Sequence, residues 1–255
     1  MLADAGLHLD GVTVRFGGAI AVDGLSMDAP MGRITGLIGP NGAGKTTTFN
    51  VISGLLRPST GCVAIGGADV TRSAPHHRAR LGVGRTFQRM ELFDSLSVER
   101  NVALGREAVT AGSAPLRHLV CTGRRRSEVA AATAEALQLC GIETIADQPV
   151  GSLSTGQRRI VELARAAAGG FRLLLMDEPS SGLDSEETAV FGGILSSLVA
   201  ERGIGILLVE HDMELVMSIC DYIYVLDFGV RIFDGAPGAV ASSPVVQAAY
   251  LGAAT

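Results

Sequence analysis

Apolar residues follow three rhythms along this chain, and each predicts a kind of element. From Leu7 to Phe16 they alternate with polar residues, and after Gly17-Gly18 the alternation resumes through Ile20, Val22, Leu25 and Met27. Period two with a glycine break predicts antiparallel strands. Ile34 to Ile38 is instead a short buried strand, and Phe171 to Met176, but for Arg172, and Ile204 to Val209 are continuous apolar runs. Such runs predict strands buried on both faces of a parallel sheet. Helical stretches flank them: Thr46 to Leu56 is predicted to end near Arg57-Pro58, and Arg158 to Ala168 repeats small and apolar residues at helical spacing. Gly61 to Ile65 adds a strand to the antiparallel layer, and Tyr222 to Leu226 and Val230 to Phe233, joined by Asp227-Phe228-Gly229, form a closing hairpin. Between Asp94 and Cys140 the chain turns Ala-rich and helical, interrupted at Gly112-Ser113-Ala114-Pro115. No internal repeat is visible. The predicted order is an antiparallel sheet, an α/β half, a helical insertion and a second α/β half, in one domain with subdomains.

Composition narrows the setting. The chain has 255 residues, 47% of them hydrophobic, with a net charge of −5 and a mean hydropathy of +0.34. No apolar run approaches the ~20 residues that span a bilayer. Met1-Leu2-Ala3-Asp4 lacks the pattern of a secretory leader. A cytoplasmic chain with surplus apolar surface points to an obligate partner. The acidic balance argues against nucleic acid as that partner. Arg124-Arg125-Arg126 is the one conspicuous basic run, read as a solvated helix start or loop in preference to a lipid or nucleic-acid contact. Cys62, Cys121, Cys140 and Cys220 are far apart, which suits reduced packing thiols. His76-His77 reads as a pair of surface histidines.

The candidate chemistry begins at Gly39-Pro40-Asn41-Gly42-Ala43-Gly44-Lys45-Thr46, a G-x-x-x-x-G-K-T between a strand and a helix. Glycines at 42 and 44 let successive N–H groups and the next helix's N-terminus face an anion. Lys45 adds a point charge for the β- and γ-phosphates, and Thr46 a hydroxyl for Mg²⁺. ATP or GTP is the ligand this pattern serves. Asp177 and Glu178 end an apolar strand, where open parallel sheets place their ligand sites. One carboxylate on the metal and one on the attacking water suffice for phosphoryl transfer. Leu153-Ser154-Thr155-Gly156-Gln157 opens a helix and offers a second anion site. One chain needs only one such site, so the second is expected to complete the nucleotide pocket of a partner subunit.

These residues resemble, over essentially the whole chain, the nucleotide-binding subunit of an ATP-binding cassette (ABC) transporter. Gly39 to Thr46 matches the Walker A loop, Leu173 to Glu178 the Walker B strand, and Leu153 to Gln157 the signature L-S-G-G-Q. Gln88 resembles the Q-loop glutamine, Ser181-Gly182-Leu183-Asp184 the D-loop, and His211 the switch histidine. The resemblance implies a RecA-like P-loop NTPase core of α/β class, with an N-terminal antiparallel β subdomain and a helical subdomain inserted over about residues 89–163. It implies that Glu178, His211 and Lys45 are catalytic. ATP would be held by Phe16, Gly39, Asn41, Gly42, Gly44, Lys45, Thr46, Thr47, Gln88, Ser154, Gly156, Gln157 and Asp184, and Mg²⁺ by Thr46, Gln88 and Asp177. Phe16 would stack on adenine, the alternative being a core phenylalanine at a strand end.

Thr155 departs from the general signature, where glycine stands. A β-branched residue there implies either an ordinary backbone or a weakened site.

Arg85-Thr86-Phe87-Gln88, Met90-Glu91-Leu92-Phe93, the insertion from Ala103 to Ser127, Glu210-His211-Asp212-Met213 and Ala249-Tyr250-Leu251-Gly252 are similar to the G-type ATPase of branched-chain amino-acid importers. That likeness implies a peripheral subunit on the cytoplasmic face of the cell membrane. Its partners would be a second ATPase subunit, the same or a sister chain, two integral-membrane permeases and, indirectly, an extracytoplasmic substrate-binding protein. Urea and amide importers and lipopolysaccharide-export ATPases share the scaffold, and a soluble ABC ATPase is the rival class. Met90, Leu92 and Phe93 stand equally for a groove that receives a permease helix and for internal packing.

Overall fold

A computed structural model describes residues 6–86, 91–113 and 123–251; Gln88, Met90 and Cys121 lie outside them. The antiparallel sheet carries strands in the order β2-β1-β4-β5: β1 is Leu7–Phe16, β2 Ala19–Ala29, β4 Thr60–Ile65 and β5 Ala68–Asp69. The second sheet has the order β10-β9-β3-β8-β7-β6, where β3 is Ile34–Ile38, β6 Val83–Arg85, β7 Leu173–Asp177, β8 Gly205–Val209, β9 Tyr222–Asp227 and β10 Val230–Gly235. Its pairs are parallel except for the β9–β10 hairpin at one edge.

The continuous apolar runs have a direct cause in this sheet. Leu174 and Met176 of β7, with Ile206 and Leu208 of β8, point into one core cluster. Their alternates Leu173, Leu175, Leu207 and Val209 point into another, shared with the antiparallel sheet. Both faces are covered, so no position tolerates a polar residue until the strand ends at Asp177. In the antiparallel layer Val22, Leu25 and Met27 are buried as the alternation predicts, whereas Ile20 faces outward. The β1–β2 register shifts between Val12 and Arg15 account for this, since one slipped residue turns a side chain to the other face.

Helix α1 is Lys45–Ser53, shorter than the apolar pattern suggested. It stops because Gly54 takes the left-handed conformation, φ 80°, and its N–H donates to Val51 O. Helices α3 (Val98–Ser113), α4 (Gly123–Leu139) and α5 (Thr155–Gly169) pack on one another, and α6 (Ser185–Arg202) touches α4 and α5. Two 3₁₀ turns, Glu143–Ile145 and Val150–Ser152, lead into α5. The short α2 (Pro75–Arg80) precedes β6; α7 (Met213–Ile219), α8 (Pro237–Ala241) and α9 (Pro244–Leu251) complete the chain. Arg124 to Arg126 open α4 as a solvated start, with Arg124 paired to Glu128. Cys140 and Cys220 are buried free thiols, His76 and His77 are exposed, and among the described residues no helix is long and apolar enough to cross a membrane.

Candidate functional site

The phosphate loop spans the gap between β3 and α1. Gly39, Gly42 and Gly44 have φ of 150°, 82° and 101°. A Cβ at Gly39 would lie 2.1 Å from Leu226 O and one at Gly44 2.6 Å from Ala21 O, while Gly42 faces open space. The first and last glycines thus fit the loop to its own scaffold, and the middle one leaves room outside. The β9–β10 tip braces it: Gly229 N–H donates to Ala43 O at 3.1 Å.

Lys45 begins α1 and is buried, with Nζ donating to Gly39 O at 2.5 Å and Pro40 O at 2.9 Å. Burial pulls its pKa down, and the carboxylates of Glu178 and Asp177 pull it back up. Thr46 and Asn41 are exposed and Thr47 half-buried.

Asp177 ends β7 with 4% exposure. Its Oδ2 lies 3.4 Å from Arg85 Nη2, and Oδ1 is buried without a hydrogen-bond partner. Burial raises its pKa, opposed chiefly by Arg85. Arg85 is fixed in turn by Asn50 Oδ1 at 2.8 Å and Ser53 Oγ at 3.1 Å on α1. Glu178 takes φ 51°, a conformation rare outside glycine, held by its N–H to Val209 O at 2.8 Å. That turn aims its Oε1 at His211 Nε2, 2.7 Å away. Glu210, buried just past β8, accepts from Ser180 N–H at 2.7 Å and His211 N–H at 3.1 Å and so stitches the two strand ends together. His211 shares a cleft of about 580 Å³ with Gly39, Asn41 and Tyr250.

The signature residues sit apart. Ser154 caps α5, its Oγ accepting from Gln157 N–H at 3.2 Å while Gln157 Oε1 accepts from Ser154 N–H at 3.1 Å. Asp184 caps α6 in the same reciprocal way with Glu187. Gly156, Gln157 and Asp184 line a separate cleft of about 230 Å³ whose lining includes no phosphate-loop residue among the described ones. Thr155 is the first residue of α5 and is not among the positive-φ residues, so its backbone is ordinary. Phe16 is 54% exposed, which removes it from the core and leaves its ring free to stack. Phe93 is 56% exposed and lines a cleft of about 570 Å³ with Arg85, Glu91, Glu162 and Arg165, while Leu92 packs on the core.

The family model described as ABC transporter matches residues 22–181. The chain belongs to that family. This ABC cassette is 37% identical over 97% of its length to the high-affinity branched-chain amino acid transport ATP-binding protein BraF of Pseudomonas aeruginosa, covering 98% of that protein. It is 35% identical, with the same coverage, to LivG of Escherichia coli, which carries the same description. A nucleotide-free ATP-binding cassette from an ABC transporter superposes with a TM-score of 0.82 at 30% identity, over 96% of this chain and 98% of that one. A cassette in its ADP conformation, MJ1267, gives 0.84 at 29% identity, over 97% and 99%. The fold expected of a P-loop ATPase is therefore the fold found.

Sequence reasoning missed three residues that hold the cassette's site. Arg85 stands in the sequence only as part of a subfamily string, and Glu210 only as a neighbour of His211. Arg78, on α2, gave no signal: its Nη1 donates to Val51 O and Ile52 O, both at 2.7 Å, at the far end of the phosphate-loop helix.

Proposed function

We propose that the chain is the ATP-hydrolysing subunit of an importer of branched-chain amino acids, held at the cytoplasmic face of the cell membrane by two integral-membrane permeases. The substrate class is carried over from BraF and LivG, which the chain matches nearly end to end. The hydrolytic role rests on one observation above all, the 2.7 Å contact of His211 Nε2 with Glu178 Oε1 beside the lysine loop.

In this reading the loop amides and Lys45 hold the β- and γ-phosphates, Asn41 and Thr47 border them, and Phe16 stacks on adenine. Glu178 takes the proton of the attacking water as its oxygen bonds to the γ-phosphorus and the bond to the ADP oxygen breaks. His211 donates Nε2–H to Glu178, fixing that carboxylate's direction, and touches the γ-phosphate. Mg²⁺, when bound, supplies charge neutralisation at the phosphates; Thr46, Asp177 and Gln88 would hold it. The partnerless Oδ1 of Asp177 fits that assignment. Ser154, Gly156, Gln157 and Asp184, gathered away from the loop, serve the nucleotide of a second ATPase subunit, so ATP clamps two subunits and hydrolysis parts them.

Uptake of labelled leucine in cells lacking the chain tests this. The wild-type chain should restore uptake, and Glu178→Gln should not, with ATP turnover down at least ~100-fold. Restoration by Glu178→Gln, or co-purification with soluble machinery and no permease, would overturn it.

A further inference from the structure

The signature's one unusual residue lies where α5 meets the loop from Ser181 to Asp184. We propose that Thr155 is a positioning residue that locks this loop to the first turn of α5, so that signature turn and loop meet the second subunit's nucleotide as one body. The part concerning the second subunit rests on the function proposed above.

Three placements carry the inference. A Cβ at Gly182 would sit 3.6 Å from Thr155 Cγ2 and meet nothing else within 4 Å among the described residues, so the threonine methyl is the group that borders the open side of the loop's left-handed glycine. A Cβ at Gly156 would sit 2.3 Å from Glu187 Oε1, so the helix backbone lies directly against the residue that caps Asp184. Arg159, one turn after Thr155, reaches Ser181 O with Nη2 at 3.4 Å. Positions 155 and 159 share a helix face. That face is laid along the loop. Glycine at 155 would remove the methyl and free the backbone of the first helical residue; the β-branched side chain does the reverse.

Hydrogen exchange on the full-length, nucleotide-free chain tests the contact. The probes are the amides of Ser181, Leu183 and Asp184, bonded to Glu178 O at 3.2 Å, Ser180 O at 3.0 Å and Glu187 Oε2 at 3.3 Å. Thr155→Val keeps the methyl and Thr155→Ser keeps only the hydroxyl. Exchange should quicken about threefold in Thr155→Ser and Thr155→Gly, with wild-type rates in Thr155→Val and in β7 of every variant. Equal rates across the series, equal quickening in Val and Ser, or quickening that extends to β7 would each overturn the proposal.

ATP-dependent association, measured by sedimentation of Glu178→Gln chains with the permeases present, tests the functional half. Adding Thr155→Ser should weaken association about tenfold, threefold at each of two sites; unchanged association would overturn that half. No association of Glu178→Gln itself would instead overturn a pair of identical chains, and with it the two-site form of this half, while exchange still decides the contact.

Discussion

Arg78 should be among the most costly residues to remove, although no ligand touches it. It is 1% exposed, and its guanidinium closes the C-terminal end of the helix that starts at Lys45. The last carbonyls of any helix lack intrahelical partners and gather partial negative charge. Here Val51 O and Ile52 O receive Nη1 at 2.7 Å each, while Nε reaches Ser73 O at 3.1 Å and Nη2 Thr71 O at 3.3 Å. Hydrogen bonds from a charged donor contribute about 1.5–3 kcal/mol. Two short ones and two longer ones, offset by the desolvation that burial imposes on the cation, leave a net of about 3–4 kcal/mol. For Arg78→Met, which keeps the apolar stem, that is roughly 10 °C in Tm for a chain of this size. Urea titration followed by circular dichroism gives the free energy directly, and Arg78→Lys, a point charge without the fork, should fall between. Gly54→Ala should be destabilising at the same place, because φ is 80° and a Cβ would lie 2.7 Å from Arg78 Nε. An Arg78→Met chain within about 1 kcal/mol of wild type would show that water or the loop replaces the guanidinium, and would refute the capping argument.

Phe16→Ala should raise the ATP concentration for half-maximal turnover about 3–10-fold, the range of one aromatic stacking contact, with Tm unchanged because the ring is outside the core. Phe93→Ala should lower leucine uptake and permease-stimulated hydrolysis while leaving the melting curve in place, since the ring lines a cleft; a large fall in Tm would return it to the core. The thiols of Cys140 and Cys220 are pushed up to about 12 by burial, so at pH 9 they should carry roughly 500-fold less thiolate than free cysteine. Peptide mapping after iodoacetamide should find both unlabelled in the native chain and labelled in urea. A raised acid pKa costs stability as pH rises, so unfolding should become easier between pH 9 and about 12, and a flat profile there would contradict the shifts.

What could be read from the chain was local. The phosphate loop is contiguous, and its chemistry is spelled by residue type at fixed spacing. The buried strands declare themselves because both faces of their sheet are covered, leaving no polar alternation. Strand order was not legible: β3 pairs with β8 and β9, more than 160 residues on, and nothing within its five residues encodes a neighbour. Helix α1 ends before the apolar pattern does, because Leu55 and Leu56 prolong that pattern past Gly54, whereas the left-handed glycine decides. Arg78, in Pro75-His76-His77-Arg78-Ala79-Arg80, looks like one cation on a solvated face; its partners are backbone carbonyls, which no residue identity announces. Phe93 could be divided between groove and core only by its exposure.

Three departures from local rules lie close together in this fold. Lys45 is buried against two carbonyls, Asp177 keeps a buried oxygen without a donor, and Glu178 holds a left-handed backbone that costs on the order of 1–3 kcal/mol. Asp177 and Glu178 are sustained from outside their motif, by Arg85 and by Val209 O, with Glu210 joining the ends of β7 and β8, whereas Lys45 is held by the carbonyls of its own loop. A lysine charge, a carboxylate oxygen and a directed acid–histidine pair are the groups that a triphosphate with its cation would engage. Other positions follow local preference: glycines stand at turns, Ser154, Asp184 and Asp212 at helix starts, and branched apolar residues in the covered strands. A scaffold that keeps these exceptions together, and braces its two acids from β6 and β8, holds the chemistry ready before nucleotide arrives.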